Sequence, residues 1–371
     1  MQRMRIRIVG GSLGGLFAAV LLGKDGHDVK VYERSRYGLG GRGAGLVGQR
    51  DTFAMLRAAG CEHVAHVGVV SNDRIIFDRS GAIISRIAAP QMQISWDRLY
   101  RIFRKLVPSN AYSLGKEVVS VGQNETSAYV TFADGARETA DLVIGADGVA
   151  SVVRTAVNAG PSPSSYAGYV AWRGLFPEGE LPAEARDILL DQFAFFEMPR
   201  SHILGYVVAG PDGETTIGER RYNWVWYRPI AKNDLSFALT DADGHTHDFS
   251  LPPGSMPASA RQALAVDAAR LLPPPFAAAV RVERQPFIQA IFDYQTPSMA
   301  NGRLALLGDA AFVVRPHTAM GVSKAAGDAI ALQQHLSKSK LSEALAGYEI
   351  ERRRIGESIA AHGRQLGAKL E

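Results

Sequence analysis

Hydrophobic and polar positions follow two rhythms along this chain. Arg5-Ile6-Arg7-Ile8-Val9 predicts a buried strand, Leu16 to Leu22 an apolar helix, and His27-Asp28-Val29-Lys30-Val31-Tyr32 a second strand that ends at Glu33. Strand, helix and strand at this spacing predict a βαβ unit. Arg74-Ile75-Ile76-Phe77 and Ile83-Ile84-Ser85-Arg86-Ile87 flank the turn residues Asp78-Arg79-Ser80-Gly81, which predicts a hairpin, with a helix starting near Trp96. Val118 to Val121, Tyr129 to Phe132 and Arg137 to Ile144 predict a β-meander broken at Asn124-Glu125 and Asp134-Gly135. From about 161 to 285 aromatic residues recur at strand-like spacing (Tyr166, Tyr169, Trp172, Phe193, Phe195, Phe196, Tyr206, Tyr222, Trp224, Trp226, Tyr227). Such a sheet could cover a flat ring, or its aromatics could be ordinary core. Pro252-Pro253-Gly254 and Pro273-Pro274-Pro275 predict loops.

Three glycine-containing segments change the picture: Gly10-Gly11-Ser12-Leu13-Gly14-Gly15, Gly145-Ala146-Asp147-Gly148 and Gly308-Asp309-Ala310-Ala311. The first turns the opening strand into the helix. Gly10 permits the tight turn, a small residue at 12 lets backbone approach a pyrophosphate, and Gly15 lets helix pack on strand. The helix N-terminus then offers free N–H groups to phosphate. Glu33, about 20 residues on, suits the ribose hydroxyls. Ser12 stands where the usual fingerprint has a second glycine, a departure its small Cβ allows. Together the segments predict one bound FAD.

With these motifs in place, the chain resembles, over nearly its whole length, the single-component FAD-dependent aromatic hydroxylases of the p-hydroxybenzoate hydroxylase type, the class A flavoprotein monooxygenases. Asp141-Leu142-Val143-Ile144-Gly145-Ala146-Asp147-Gly148 with Ser151 and Arg154 is similar to that family's second motif. Gly302 to Ala311, then Pro316, Gly321 and Asp328, is similar to its third. Trp96 replaces an arginine usual before the Asp-Leu of the helix there, and Phe312 stands where histidine is frequent.

The resemblance implies an α/β, overall α+β, architecture: a Rossmann-like FAD-binding domain with a β-meander, an inserted β-sheet substrate domain, and C-terminal helices. Residues 1–72, 95–160 and 286–371 would form the FAD-binding domain, and 73–94 with 161–285 the substrate domain. Non-covalent FAD would be held by Gly10, Gly11, Ser12, Leu13, Gly14, Gly15, Glu33, Arg34, Arg42, Asp147, Gly148, Gly308, Asp309, Pro316, Gly321 and Val322. A helix beginning at Gly321 and running through Ala325, Ala329 and Leu332 would aim its N–H groups at the pyrimidine edge of the flavin. NADH or NADPH would reduce the flavin, dioxygen would give a C4a-hydroperoxide, and an electron-rich ring, a hydroxypyridine-like heterocycle first, would be hydroxylated. His317 and Tyr206 are the candidate catalytic residues, His317 as a base with an unperturbed pKa near 6.5. A same-fold monooxygenase acting on a hydroxybenzoate, quinone precursor or polyketide stays open. So does a flavin-binding reductase or sensor without oxygenation.

Composition narrows the rest. The 371 residues suffice for about two domains, and the 38 glycines suit a backbone that approaches a ligand closely. A net charge of +4 without a basic block argues against nucleic acid, and Arg352-Arg353-Arg354, interleaved with Glu349, Glu351 and Glu357, is expected to be a solvated helix face. No apolar run reaches membrane-span length. The single cysteine, Cys61, and the absence of an apolar leader before the first strand fit a reducing cytoplasm. His63 with His66, and His245 with His247 beside Asp241, Asp243 and Asp248, have ligand-like spacing but no second cluster, so no metal is expected. A small aromatic substrate and dioxygen are the expected partners, with a homodimer among the open options.

Overall fold

The computed structural model describes residues 2–41, 45–62 and 68–370. Two of the sites anticipated from the sequence, Arg42 and the His63/His66 pair, lie outside these residues. Three sheets organise the rest. In the first, strands Arg5–Val9, Asp28–Glu33, Tyr112–Leu114, Leu142–Gly145 and Leu304–Leu306 run parallel, and Ala300–Asn301 adds an antiparallel edge. Arg5–Val9 lies between Asp28–Glu33 and Leu142–Gly145. Its apolar character follows from burial on both faces, as parallel strands covered by helices require. Helix Leu13–Lys24 is apolar all round because it is enclosed by this sheet, by helix Gly321–Lys338 and by helix Trp96–Leu106, where Phe17 meets Phe103 edge-on at 4.6 Å.

The meander is a separate three-stranded sheet, Val118–Gln123, Ala128–Phe132 and Arg137–Ala140. The expected single strand from Arg137 to Ile144 is in fact two, broken at Asp141. That carboxylate accepts the backbone N–H of Arg5 at 2.7 Å and pairs with its guanidinium at 2.9 Å, so the chain leaves the meander there and enters the parallel sheet.

The large sheet is ten-stranded. Its centre is Ser165–Pro177, Arg221–Pro229, Ser201–Val208 and Gln192–Met198, flanked by Phe287–Gln295 on one side and the hairpin Val69–Phe77/Ile83–Ser95 on the other. Strand alternation sends its aromatics to both faces. Trp172, Phe196, Tyr222, Trp224 and Trp226 join a core beneath helices that the sequence pattern did not signal, Ala183–Leu189, Ala258–Leu271 and Pro274–Val282. Tyr169, Phe193, Tyr206 and Tyr227 occupy the other face. The core reading holds for the face beneath the helices, and the other face carries a second, smaller set of buried aromatics. The proline run at 273–275, expected as a loop, instead opens a helix, with Pro273 at the N-cap and proline in the first turn, where its missing N–H costs nothing.

Gly15 lies where the first helix meets the opening strand. A Cβ there would sit 2.0 Å from the carbonyl oxygen of Gly10, a backbone atom that cannot swing aside. Gly15→Ala is therefore expected to cost about 1–3 kcal/mol of stability, read as a lower urea midpoint at unchanged slope.

Candidate active site

The three glycine segments converge at the carboxyl ends of adjacent parallel strands, where open α/β sheets bind ligands. Their mutual distances leave no room for larger residues. A Cβ on Gly10, whose φ is +103°, would meet the Ala146 carbonyl oxygen at 2.3 Å, and one on Gly14 would meet Leu307 at 2.9 Å. Arg154 ties the second segment to the third. Its guanidinium donates to the carbonyls of Val149 (2.9 Å), Gly148 (3.3 Å), Asp309 (2.7 Å) and Ala310 (2.8 Å), and it stacks 3.8 Å over the Tyr294 ring.

A buried ionic triad shapes the Gly308-Asp309 turn from below. Asp328 accepts the Gly308 N–H at 3.0 Å and Arg352 Nε at 2.7 Å, while Lys324 Nζ, 3.6 Å from Asp328, donates to the Gly308 carbonyl at 2.6 Å. All three side chains are at least nine-tenths buried. The arginine run therefore departs from the expected solvated face: Arg352 turns inward, and only its neighbours remain outside, Arg353 pairing with Glu357. An arginine four residues before Gly356, on a helix pressed against the third motif, was the available signal. Phe312, the departure at the histidine position, fills the space over Gly356, where a Cβ would come within 2.4 Å of its ring. Trp96 stacks on Tyr100, and the adjacent Asp97 accepts the Gly41 N–H (2.9 Å) and Arg221 (3.2 Å), which fixes the turn after Glu33.

The residues fit an FAD. Helix Leu13–Lys24 has no side-chain cap, and its first internal hydrogen bond is Leu16 N–H to Ser12, so the N–H groups of Leu13, Gly14 and Gly15 are available to phosphate. Gly321–Lys338 likewise has no side-chain cap, leaving Gly321, Val322 and Ser323 available. Glu33 accepts from Gly11 N (3.0 Å) and Ser35 N (2.8 Å) and keeps further lone pairs for hydroxyl donors. The side chain of Asp309 accepts no hydrogen bond among the described residues. It is reached by solvent yet surrounded by enough protein that burial pushes its carboxyl above the usual aspartate range, as expected of a carboxylate lining a cleft. Asp147 behaves differently: its carboxylate accepts from Ser151 (2.6 Å) and Val152 N (2.8 Å) and caps the short helix Val152–Val157, so it shapes the Gly148 turn. Arg34 is exposed at the end of the second strand. Gly10-Gly11-Ser12-Leu13-Gly14 also has the Gly-x-Ser-x-Gly spacing of a hydrolase nucleophile. Ser12, however, has unstrained extended backbone, and no histidine bonds its hydroxyl among the described residues.

His317 lies in the turn Pro316–Thr318, held by Thr318 and by a left-handed Ala319 just before the Gly321 helix. It reaches the open face of the large sheet. Its Nε2 is 2.8 Å from the Tyr169 hydroxyl, and its ring lies 4.3 Å from Tyr227 and 5.3 Å from His202. Burial, with the charges of His202 and Arg315 adding to it, pushes His317 down to about 3, and burial pushes His202 down to about 4. The value near 6.5 expected from sequence is thus displaced: both rings are neutral at pH 7. Tyr206 sits further along the same face, but its hydroxyl donates to the Gly45 carbonyl at 3.1 Å, and burial pushes it up to about 12. The Asp241 carboxylate, near Asp243 and His245, is taken up by its own turn, accepting from Asp243 N, His245 N and His247.

Asp309 and Asp328 separate binding from architecture. Asp309→Ala is expected to weaken FAD retention by about 1.5–3 kcal/mol with little change in melting temperature. Asp328→Ala strands two buried cations and is expected to cost about 3–5 kcal/mol of stability. Flavin titration and thermal melts of the two variants check this; equal losses of stability would refute the assignment.

Comparison with known proteins agrees with the site. The model of the family described as FAD binding domain matches residues 3–171 and 284–362, and one described as FAD binding domain-like matches 166–293. The 2,6-dihydroxypyridine 3-monooxygenase of Paenarthrobacter nicotinovorans is 32% identical over 99% of this chain and 91% of its own. A 6-hydroxynicotinate 3-monooxygenase of Pseudomonas fluorescens is 28% identical over 91% of this chain and 83% of its own. The solved structure of 2,6-dihydroxypyridine-3-hydroxylase from Arthrobacter nicotinovorans superposes with a TM-score of 0.93 at 30% identity, covering 100% of this chain and 93% of that one. Klebsiella pneumoniae HpxO with FAD and uric acid shares the fold at a TM-score of 0.78 and 22% identity, over 98% of this chain and 87% of its own. With its glycine segments, its ionic triad and these relatives in agreement, the chain belongs to the FAD binding domain family and, within it, to the FAD-dependent aromatic monooxygenases.

Proposed function

We propose that this monooxygenase hydroxylates a small, electron-rich hydroxypyridine-like heterocycle held between the flavin and the open face of the large sheet, with NADH or NADPH as reductant. The observation that carries this reading is the 2.8 Å hydrogen bond between His317 and Tyr169, which fastens the loop before the Gly321 helix onto the aromatic face. The loop thereby becomes a wall shared by cofactor and substrate. Two relatives named for hydroxylating hydroxypyridine rings support the substrate class.

When bound and reduced, FAD supplies the oxygen-activating chemistry. The chain's own residues bind, orient and screen. Leu13, Gly14 and Gly15 would offer N–H groups to the pyrophosphate of FAD, Glu33 would accept from its ribose, and Asp309 would accept from its ribityl chain. Gly321, Val322 and Ser323 would add N–H groups and a helix dipole that favour the negative charge of the reduced form. Val225, Leu204 and the surrounding aromatics exclude water from the substrate ring.

His317 is oriented by its neighbour: its Nε2 is engaged with the Tyr169 hydroxyl, which sets the plane of its ring. So depressed a pKa makes His317 a neutral hydrogen-bonding partner for a substrate oxygen. A base that must store a proton at neutral pH needs a higher one. Tyr206, further along the face, is occupied with the Gly45 carbonyl.

Two measurements test this function. Anaerobic stopped-flow reduction by each nicotinamide, in the presence of hydroxypyridines and hydroxybenzoates, is expected to show faster flavin reduction with a hydroxypyridine; preference for a hydroxybenzoate would move the substrate class. His317→Asn keeps a hydrogen-bonding amide and is expected to retain flavin reduction while losing less hydroxylation than the ~10²–10⁴-fold expected for a lost general base. The wild-type hydroxylation rate is expected to show no histidine inflection between about pH 6 and 8, because His317 stays neutral down to about 3. An inflection in that range that disappears in His317→Asn would restore the base role.

A further inference from the structure

Two polar side chains on this sheet face stand out, one a buried amide without partners and the other a guanidinium without a counter-ion. Asn223 is 0% exposed, yet neither its amide oxygen nor its amide nitrogen has a hydrogen-bond partner. Arg173 is half-buried; its Nε has no partner and no carboxylate pairs with it among the described residues, its guanidinium lying instead against the Tyr206 and Tyr227 phenols and hydrogen-bonding the latter. Buried polar groups are nearly always satisfied, so an orphaned amide beside a half-buried guanidinium that has no counter-ion calls for an explanation.

The register puts them in one place. Asn223 lies directly across from Leu175 on one side and Tyr206 on the other, and Arg173 across from Val225. The next row on the same face is Ala171, Tyr227 and His202, beneath His317. Successive rows are about 7 Å apart, since each spans two residues of strand. That is about the width of a six-membered ring with its substituents. A ring lying over Val225 would therefore present one edge to His317, the opposite edge to Asn223 and a flank to Arg173, which lies across from Val225.

The geometry points to Arg173 and Asn223 as the subsite that recognises an anionic oxygen on the substrate ring, with Arg173 supplying the charge and Asn223 the amide donor. This rests on the aromatic-ring monooxygenase reading above. A ring oxyanion and a ring carboxylate share the required chemistry, and a neutral ring lacks it. The subsite selects ionised rings and fixes which edge of the ring faces His317, and hence which carbon faces the flavin.

The test is a titration of the FAD-loaded protein without nicotinamide, following the flavin absorption band, with 2,6-dihydroxypyridine, 6-hydroxynicotinate and the neutral 2,6-dimethoxypyridine. Arg173→Gln is expected to weaken an anionic ligand by about 10–100-fold and leave the dimethoxy compound unchanged. Arg173→Lys, which keeps the charge, is expected to recover part of the loss, and Asn223→Leu to give a smaller one. Sensitivity to 2,6-dihydroxypyridine identifies a ring oxygen as the bound group; sensitivity confined to 6-hydroxynicotinate identifies a carboxylate. If neither the Gln nor the Lys variant alters the ratio of anionic to neutral affinity, the subsite is refuted while the monooxygenase reading stands. If wild-type protein hydroxylates none of a wider ring panel, that reading fails and takes the subsite with it.

Discussion

The guanidinium of Arg154 is the constraint on which the site depends. It hydrogen-bonds the carbonyls of Gly148 and Val149 at one end and of Asp309 and Ala310 at the other, and so joins two turns that lie far apart in sequence. Five fixed donors in one plane suit this task, which a lysine could not perform. Burial acts to lower its pKa, opposed by Asp147, Asp309 and the Tyr294 ring beside it. The triad of Lys324, Asp328 and Arg352 does for the third turn alone what Arg154 does between turns: it holds the Gly308 N–H and carbonyl at once. Buried cations thus set the backbone of both turns, and the Asp309 carboxylate alone accepts no hydrogen bond among the described residues.

The large sheet solves a different problem. A strand exposes side chains to opposite faces, so one run of aromatics can build a core and a binding surface together. Trp224 and Trp226 face the helices, while Asn223, Val225 and Tyr227 between and beside them face the cofactor side. The core is satisfied by packing. The other face sets Asn223 and Arg173 among tyrosines and apolar residues.

Much of this was legible in the chain, for reasons that differ by element. Gly10 and Gly15 could be read because close backbone approach admits no other residue, Gly308 because its φ of +62° favours glycine, and Glu33 because its distance from the glycines is fixed by one βαβ unit. The break at Asp141 was hidden because 137–144 carries a continuous strand-like pattern, and only the distant Arg5 shows where it must turn. Arg352 looked solvated because local charge pattern cannot reveal which side of a long helix meets a buried aspartate. The helices 258–271 and 274–282 were masked by prolines that serve as N-terminal residues. His317 could be found by its place after Pro316. Its low pKa could not, since that comes from Arg315, His202 and burial assembled across the sheet. Arg173 and Asn223 carried no local signal, because lacking a counter-ion or a partner is a property of the folded neighbourhood.

Because the three turns come from near residues 10, 148 and 308, no contiguous part of the chain shorter than about three hundred residues holds a whole cofactor site. Such non-local closure is slow and entropically costly. Flavin therefore acts as a clasp across the sequence: it adds stability in proportion to the logarithm of its concentration over its dissociation constant. During synthesis the clasp can engage only after the last turn has left the ribosome, so flavin supply governs how much finished chain survives, as well as how much is active.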